Sequence, residues 1–258
     1  MNETQHTVLQ MWNHVMLYGR ESSPRGLKIK EIDQYRIEVI NPWSTYPARN
    51  YPMDYFKAEA QWYLNADPYD DRIFKHASMW KKIAQEDGRI FSNYGHYWFN
   101  PVLPDYEDPF SWVIHCLYED PDSRQAVIPM CGREHLFEGN KDVVCTKCIQ
   151  FRIINGKLNM HVDMRSSDAV FGIGTDWPCF SMLQEMVALG LSIPVGKFIF
   201  SSDSLHIYEK HWNMVIRAMH DGEDAFMVPV VPHIDSIDDL LHGTMVSPYG
   251  KWLTQVKL

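Results

Sequence analysis

The dipeptide Asn155-Gly156 is the feature of this sequence that most restricts its fold. Asn-Gly suits the left-handed backbone of the tight two-residue turns that join antiparallel strands. Alternation of apolar and polar residues on both sides of such a turn indicates two half-buried strands. The alternating apolar residues are Phe151, Ile153, Leu158, Met160, Val162 and Met164. The pattern predicts a β-hairpin with one buried face, and thus a substantial sheet.

Apolar residues at helical spacing predict several helices around this hairpin. The first is led by Val8, Met11, Trp12, Val15 and Met16 and ends near Gly19. Further helices are predicted over 54–64, 72–86, 110–117, 177–189 and 209–219, and a strand over 197–207. Strands and helices are mixed without strict β-α-β alternation, so the expected class is α+β. No linker or repeat divides the 258 residues, and we expect a single domain over 1–258.

The charge balance argues against one broad class of partner. The chain has 24 Lys and Arg against 33 Asp and Glu, a formal net charge of −9. A broad basic face for direct nucleic-acid binding is not expected, although a few arginines in one pocket can still bind an anion. No apolar run approaches the ~18–20 residues that span a bilayer, so no membrane contact is expected. Residues 1–7 do not resemble a signal peptide, and the five cysteines favour a reducing compartment, so we expect a cytoplasmic location.

The tetrapeptide Cys145-Thr146-Lys147-Cys148 permits several interpretations. A zinc site would need two more ligands, and neither a second Cys-x-x-Cys nor a suitably spaced His pair occurs, so no metal is expected. A redox pair would be expected to open a helix, whereas this one leads into a strand. From these four residues alone, two half-buried cysteines that begin a core strand are the leading interpretation. A single nucleophilic cysteine is the alternative.

The residues after Cys145 resemble those of the thymidylate synthase family. That family has a nucleophilic cysteine five residues before Gln-Phe, as in Gln150-Phe151 here, and an Arg-Ser-x-Asp motif after the hairpin, as in Arg165-Ser166-x-Asp168. Other segments that agree in order are Glu59-Ala-Gln-Trp, Trp80, Asn93-Tyr94-Gly95, Asp120-Pro-Asp-Ser-Arg124 and His206-Ile-Tyr208. The resemblance extends over residues 54–211. It implies a thymidylate synthase-type fold, with a large mixed β-sheet flanked by helices.

The resemblance also implies a reaction at C5 of a pyrimidine nucleotide, with 5,10-methylenetetrahydrofolate as the one-carbon donor. Cys145 would add to C6 and make C5 nucleophilic. The Arg165 guanidinium would help to ionise the Cys145 thiol. Tyr94 would assist removal of the C5 proton, and Glu59 would organise water and proton transfer.

A phosphate clamp is implied by the same comparison. Phosphate recognition needs forked donors, which arginine supplies and lysine does not. The implied clamp consists of Arg25, Arg124, Arg165 and Ser166. In the family the counterpart of Arg124 is lent by a second subunit, so a homodimer is expected. Gln125 replaces a second arginine of this turn, which leaves the clamp with one cation fewer.

The remaining implied contacts concern the sugar and the folate. His206 and Tyr208 would hold the 3′-hydroxyl of the nucleotide. Trp80 would line the folate pocket, and Asp168 would hydrogen-bond the pterin and take part in catalysis.

Asp176 departs from the family pattern in a way that bears on the base. Thymidylate synthases carry an asparagine there, which donates to O4 of uracil and accepts from N3. An ionised carboxylate has no hydrogen for O4, but it accepts from the 4-amino group of cytosine and can share a proton with N3. A buried polar mismatch costs about 1–3 kcal/mol, enough to reverse a preference, so dCMP is the expected nucleotide. A helix N-cap role for Asp176 is compatible with this interpretation.

Thr146 is a second departure, since thymidylate synthases carry histidine after the nucleophile. The water network near the ring must therefore differ. The expected reaction converts dCMP, methylenetetrahydrofolate and water to 5-hydroxymethyl-dCMP and tetrahydrofolate, as in a branch of the family known from bacteriophages. Three alternatives stay open: a dCMP methyltransferase that produces dihydrofolate, a CMP or dUMP hydroxymethylase, and a catalytically silent nucleotide-binding paralogue.

Overall fold

Among the residues that the structure describes, seven strands form one mixed sheet. The structure is a computed structural model that describes residues 3–40, 42, 53–222 and 230–258. The strands are β1 (Arg20–Ser22), β2 (Ile29–Val39), β3 (Val127–Pro129), β4 (Thr146–Ile154), β5 (Lys157–Met164), β6 (Ser167–Asp168) and β7 (Val195–Tyr208). Their order is β1-β2-β7-β5-β4-β3, and β6 pairs with the far end of β7. Strand β7 is parallel to β5 and β6 and antiparallel to β2, which makes the sheet mixed.

Helices flank the sheet. They are α1 (Glu3–Tyr18), α2 (Met53–Asn65), α3 (Ser78–Ile83), α4 (Tyr94–Phe99), α5 (Pro109–Glu119), α6 (Phe171–Gly190), α7 (Glu209–Asp221), α8 (Ile237–Leu241) and α9 (Pro248–Leu253). Within the described ranges, none is long and apolar enough to cross a membrane. The predicted α+β class with a large mixed sheet is confirmed, and the single domain stays a prediction.

The hairpin predicted at Asn155-Gly156 is confirmed. Both residues have positive φ, 52° and 71°, and Ile154 pairs with Lys157 across the turn. On β5 the alternate residues Leu158, Met160, Val162 and Met164 are all buried. This buried face packs against α6, the helix that carries Asp176.

The predicted N-terminal helix is also confirmed, and it contacts the residues that follow β6. All five residues of its apolar stripe are buried in α1. The Trp12 indole donates a 2.6 Å hydrogen bond to the carbonyl oxygen of Ala169, just after β6. The predicted helices that became α2, α5 and α7, and the predicted strand β7, are likewise present.

The continuous helix predicted over 72–86 is wrong, because the backbone leaves the helical region twice. Asp70 accepts hydrogen bonds from both the backbone and the side chain of Arg72, and a 3₁₀ turn, Asp71–Lys75, forms there. Ala77 is extended, with φ −146° and ψ 109°, and α3 ends before Ala84, which is extended again. Apolar periodicity detects a buried face but not these local capping contacts.

Helix α6 begins at Phe171, well before the predicted start at Trp177. Its first turns contain Gly172 and Gly174, which contribute no side chain to the periodic pattern. A Cβ at Gly172 would lie 3.2 Å from Cβ of Asp168 and 3.6 Å from Oδ2 of Asp176. The glycine therefore lets the start of α6 approach β6 closely. Asp176 lies inside this helix, so the N-cap interpretation is wrong.

The C-terminal segment packs against α2 and is hydrogen-bonded to two of its side chains, Gln61 and Lys57. Gln61 Nε2 donates to the carbonyl oxygens of Leu253 and Val256 at 3.1 and 2.8 Å. Lys57 Nζ donates to Gln255 Oε1 at 2.7 Å, and its ammonium lies 4.5 Å from the ring centroid of Trp252. These contacts brace the helix that carries Glu59.

Candidate active site

Cys145 lies immediately before β4, and Arg165 lies immediately after β5. Arg165 contacts Cys145 through both its backbone and its side chain. The Arg165 backbone N–H donates to the carbonyl oxygen of Cys145 at 2.8 Å, and Nη2 lies 3.6 Å from Sγ. Nε of the same guanidinium donates to the Val144 carbonyl oxygen at 3.1 Å. One side chain therefore positions the loop and places a positive charge beside the thiol.

Burial is the largest influence on the Cys145 thiol, and it raises the pKa. The Arg165 cation, and more weakly that of Arg25, lowers the pKa but does not offset burial. Arg165 therefore favours the thiolate, as expected. The net pKa of Cys145 is nevertheless above its ordinary value, because burial outweighs the arginine charge. Carboxylates of Asp176 and Asp142 add to the rise.

Tyr94 is the first residue of α4, and its ring is part of an aromatic stack. Its ring lies 5.3 Å from that of Tyr63 and 5.7 Å from that of Phe180, with interplanar angles of 15° in both pairs. Asn93 caps the helix by accepting from the His96 backbone N–H at 3.2 Å. Burial, followed by the charges of Asp176 and Cys145, raises the Tyr94 pKa well above its ordinary value. The phenol is therefore a neutral group next to the thiol.

Glu59 is buried in α2 and linked to Trp80 through a tyrosine that the sequence analysis did not single out. The Tyr55 hydroxyl donates to Oε1 of Glu59 at 2.8 Å, and the Trp80 indole Nε1 donates to the Tyr55 oxygen at 2.9 Å. Burial raises the Glu59 pKa to about 7, against the lowering effect of the Tyr55 hydrogen bond. The i, i+4 spacing of Tyr55 and Glu59 on one helix was the available signal.

Asp176 shares this buried region with two other carboxyl groups. Burial raises its pKa well above the ordinary value, and the charges of Glu59 and Asp168 raise it further. A raised pKa favours the neutral form of the carboxyl group over the charged one. A neutral carboxyl has both a hydrogen to donate and an oxygen to accept.

Asp168 and His206 face each other across the β6–β7 pair. The Val170 backbone N–H donates to Oδ1 of Asp168 at 2.9 Å. Burial raises the Asp168 pKa, while His206 and His211 lower it. The rings of His206 and Tyr208, two residues apart at the end of β7, lie 5.0 Å apart and are nearly perpendicular.

Arg25 comes near this group from a separate loop. It sits in a 3₁₀ turn, Pro24–Gly26, with a left-handed φ of 53°, a conformation uncommon for non-glycine residues. Its positive charge lowers the pKa of both Cys145 and Tyr208. Ser166 follows Arg165 and is half-buried.

Arg124 is held against β4 through its backbone, since its carbonyl oxygen accepts from Nε2 of Gln150 at 3.2 Å. It is exposed in the loop between α5 and β3. There it lines a different cavity of about 570 Å³ together with Trp112 and Glu119. The other predicted residues gather around Cys145, Glu59 and Asp168. Across the described ranges, no three His, Cys, Asp or Glu side chains are arranged to hold a metal ion.

Comparisons with known proteins identify one family that this chain resembles. A sequence model of the thymidylate synthase family matches residues 7–240. The chain is 28% identical over 185 residues to the deoxycytidylate 5-hydroxymethyltransferase of Enterobacteria phage T2, 29% to that of phage T6 and 28% to that of phage T4. Each alignment covers 66% of this chain and 73% of the relative.

Replacing Arg165 with glutamine should raise the Cys145 pKa further, because a lowering cation is lost. Because the thiolate is the form that reacts, alkylation should be several-fold slower at any pH below the pKa. Iodoacetamide labelling of Cys145, followed by peptide mass spectrometry across pH, measures this. Lys147→Gln is the control, since Lys147 pairs with Asp163 and Asp203 at 2.8 and 2.9 Å. An unchanged alkylation rate of Cys145 in Arg165→Gln would contradict the interaction between the Arg165 guanidinium and the Cys145 thiol.

Proposed function

Because the chain belongs to the thymidylate synthase family of one-carbon transferases, we propose that it hydroxymethylates C5 of dCMP. The products are 5-hydroxymethyl-dCMP and tetrahydrofolate. The observation that carries the choice of base is Asp176, a half-buried carboxyl group that faces Gly172 from the same side as Asp168 and whose pKa is raised by burial and by Glu59. The names of the phage relatives support the same activity.

The nucleophile in the proposed reaction is Cys145. Its thiolate adds to C6 of the pyrimidine, which turns C5 into a nucleophile, and it leaves again when the product forms. Arg165, at 3.6 Å from Sγ, stabilises the thiolate while the nucleotide phosphate binds the same arginine and Arg25. Tyr94 assists removal of the proton from C5.

The residues implied in folate binding, Trp80 and Asp168, fit a flat, hydrogen-bonding cofactor such as 5,10-methylenetetrahydrofolate. Trp80 presents a buried indole that donates to Tyr55, and Asp168 presents a half-buried carboxyl group near the end of β7. Bound folate would supply the one-carbon unit at the methylene level of oxidation. Glu59, with a pKa of about 7, can hold or release a proton near neutral pH and so activate water.

The acidic surroundings of Asp176 favour cytosine over uracil. A protonated Asp176 donates to N3 of cytosine and accepts from the 4-amino group. N3 is basic, so the proton can pass to the ring and leave two charge-assisted hydrogen bonds, roughly twice as strong as neutral ones. The nearby Glu59 and Asp168 stabilise the resulting cationic ring. Uracil N3 carries a hydrogen already and gains no such charge.

The proposal predicts the product directly. Incubation with dCMP and methylenetetrahydrofolate should give a nucleotide one oxygen heavier than the methyl product, with no rise in dihydrofolate absorbance. Mass spectrometry identifies the product, and Cys145→Ser is the inactive control. A methyl product with dihydrofolate would establish the methyltransferase alternative instead. Parallel reactions with CMP and dUMP test the other two substrates.

Asp176→Asn should shift the base preference toward dUMP. Asparagine cannot provide a proton to N3 of cytosine, and it pairs with uracil through its amide. At about 1–3 kcal/mol per mismatch, kcat/KM for dCMP should fall by about 10- to 100-fold relative to dUMP. Tritium release from C5 of each nucleotide measures the ratio. Asp203→Asn, an exposed carboxylate paired with Lys147, is the matched control; an unchanged ratio in Asp176→Asn would refute the assignment.

We also propose that Arg124 serves the active site of a partner subunit in a homodimer. Its exposure, and its cavity apart from Cys145, support this arrangement. Mixed dimers of Arg124→Ala and Cys145→Ala should recover activity that neither variant has alone, because one of their two sites is then intact. Mixtures of Glu59→Gln with Cys145→Ala should recover none, because both changes fall in sites built by one chain. Equal behaviour of the two mixtures would exclude sharing.

A further inference from the structure

A directed chain of hydrogen bonds joins the folate side of the site to Glu59. The Trp80 indole Nε1 lies 2.9 Å from the Tyr55 oxygen, and that oxygen lies 2.8 Å from Oε1 of Glu59. Trp80 and Glu59 are both buried, and Tyr55 is half-buried between them.

The chemistry of the three groups fixes the direction of this chain. An indole N–H donates and never accepts, so the Tyr55 oxygen must be the acceptor from Trp80. The single phenolic hydrogen of Tyr55 is then available for Glu59. Oε1 of Glu59 accepts that hydrogen and cannot carry a proton of its own along the same line.

The second oxygen of Glu59 is in a different situation. Oε2 is buried and has no hydrogen-bond partner among the described residues. A buried polar oxygen without a partner is costly unless water, a proton or a ligand satisfies it. The two oxygens of one carboxyl group are thus unequal in the folded protein.

The groups that face Glu59 come from three helices. Tyr55 and Tyr63 share α2 with it, and Tyr94 comes from α4. From α6 come Thr175, Asp176 and Cys179. The hydroxyl groups of Tyr63 and Thr175 also lower the Glu59 pKa, but Tyr55 provides the hydrogen bond of normal length. No lysine or arginine is among these groups, so hydrogen bonding and burial govern where the Glu59 proton resides.

We propose that Tyr55 is a positioning residue that keeps Oε1 of Glu59 as a permanent acceptor and makes Oε2 the oxygen that carries and exchanges the proton. The catalytic meaning of this assignment rests on the proposed function, whereas the assignment itself concerns the substrate-free protein. Because Trp80 is the donor that orients Tyr55, the wall of the folate pocket and the proton-carrying oxygen are set by one chain of hydrogen bonds.

Tyr55→Phe tests the proposal, because it removes the hydroxyl and retains the ring. Loss of a hydrogen bond to the charged form should raise the Glu59 titration midpoint by about one pH unit. The carbonyl stretch of protonated Glu59 should also move to higher wavenumber, because Oε1 no longer accepts a hydrogen bond. Infrared difference spectra across pH measure both, and Glu59→Gln identifies the band.

Tyr97→Phe is the matched control. Tyr97 is a half-buried tyrosine whose hydroxyl lies 2.9 Å from Nε2 of His135, away from Glu59. It should leave the Glu59 band and midpoint unchanged. An unchanged band in Tyr55→Phe, or the same shift in both variants, would overturn the proposal.

Trp80→Phe provides a second test if Tyr55→Phe does not fold. Without the indole N–H, the Tyr55 oxygen is free to accept, and the Glu59 proton is no longer confined to Oε2. The carbonyl band should then broaden or split, and a single unchanged band would count against the proposal. A wild-type protein that shows the predicted bands but does not hydroxymethylate dCMP would refute the proposed function and leave the Tyr55 assignment standing.

Discussion

The pairing of β7 along both of its edges is the constraint on which the rest of the structure depends. β7 is hydrogen-bonded to β2 on one side and to β5 and β6 on the other. His206 and Tyr208 lie at its end, Asp168 pairs opposite His206, and Arg165 follows β5 directly. A shift of one residue in this register would turn these side chains to the other face of the sheet. The position of the site is therefore a consequence of backbone hydrogen bonding.

Burial of carboxyl groups gives the site its chemical character. Glu59, Asp168 and Asp176 all have pKa values above their ordinary range, with burial as the largest cause in each case. In a medium of low polarity, like charges at short range interact strongly, and neutral forms are favoured. Burial thus favours proton uptake by these carboxyl groups, within a protein whose overall formal charge is −9. Such a site suits a base that takes up a proton on binding.

Some of this could be predicted from sequence, and the reasons for success and failure are physical. Asn155-Gly156 and the stripe of α1 succeed because local turn chemistry and periodic burial are properties of adjacent residues. The helix over 72–86 fails because Asp70 and Ala77 break it through local backbone contacts that periodicity does not report. The raised pKa of Asp176 could not be foreseen for another reason, since it depends on burial and on Glu59, which is distant in sequence and approaches Asp176 only in the fold. The i, i+4 spacing of Tyr55 and Glu59 indicates that the two side chains can meet, but not that the hydroxyl also accepts from Trp80.

The amide of Gln61 has a consequence for the energetics of the chain as a whole. It ties the carbonyl oxygens of Leu253 and Val256 to the helix that carries Glu59. Thermodynamic linkage is reciprocal, so a ligand that holds this helix in place must strengthen the docking of the tail by the same factor by which the docked tail strengthens the ligand. The docked segment 253–256 and such a ligand would therefore stabilise each other.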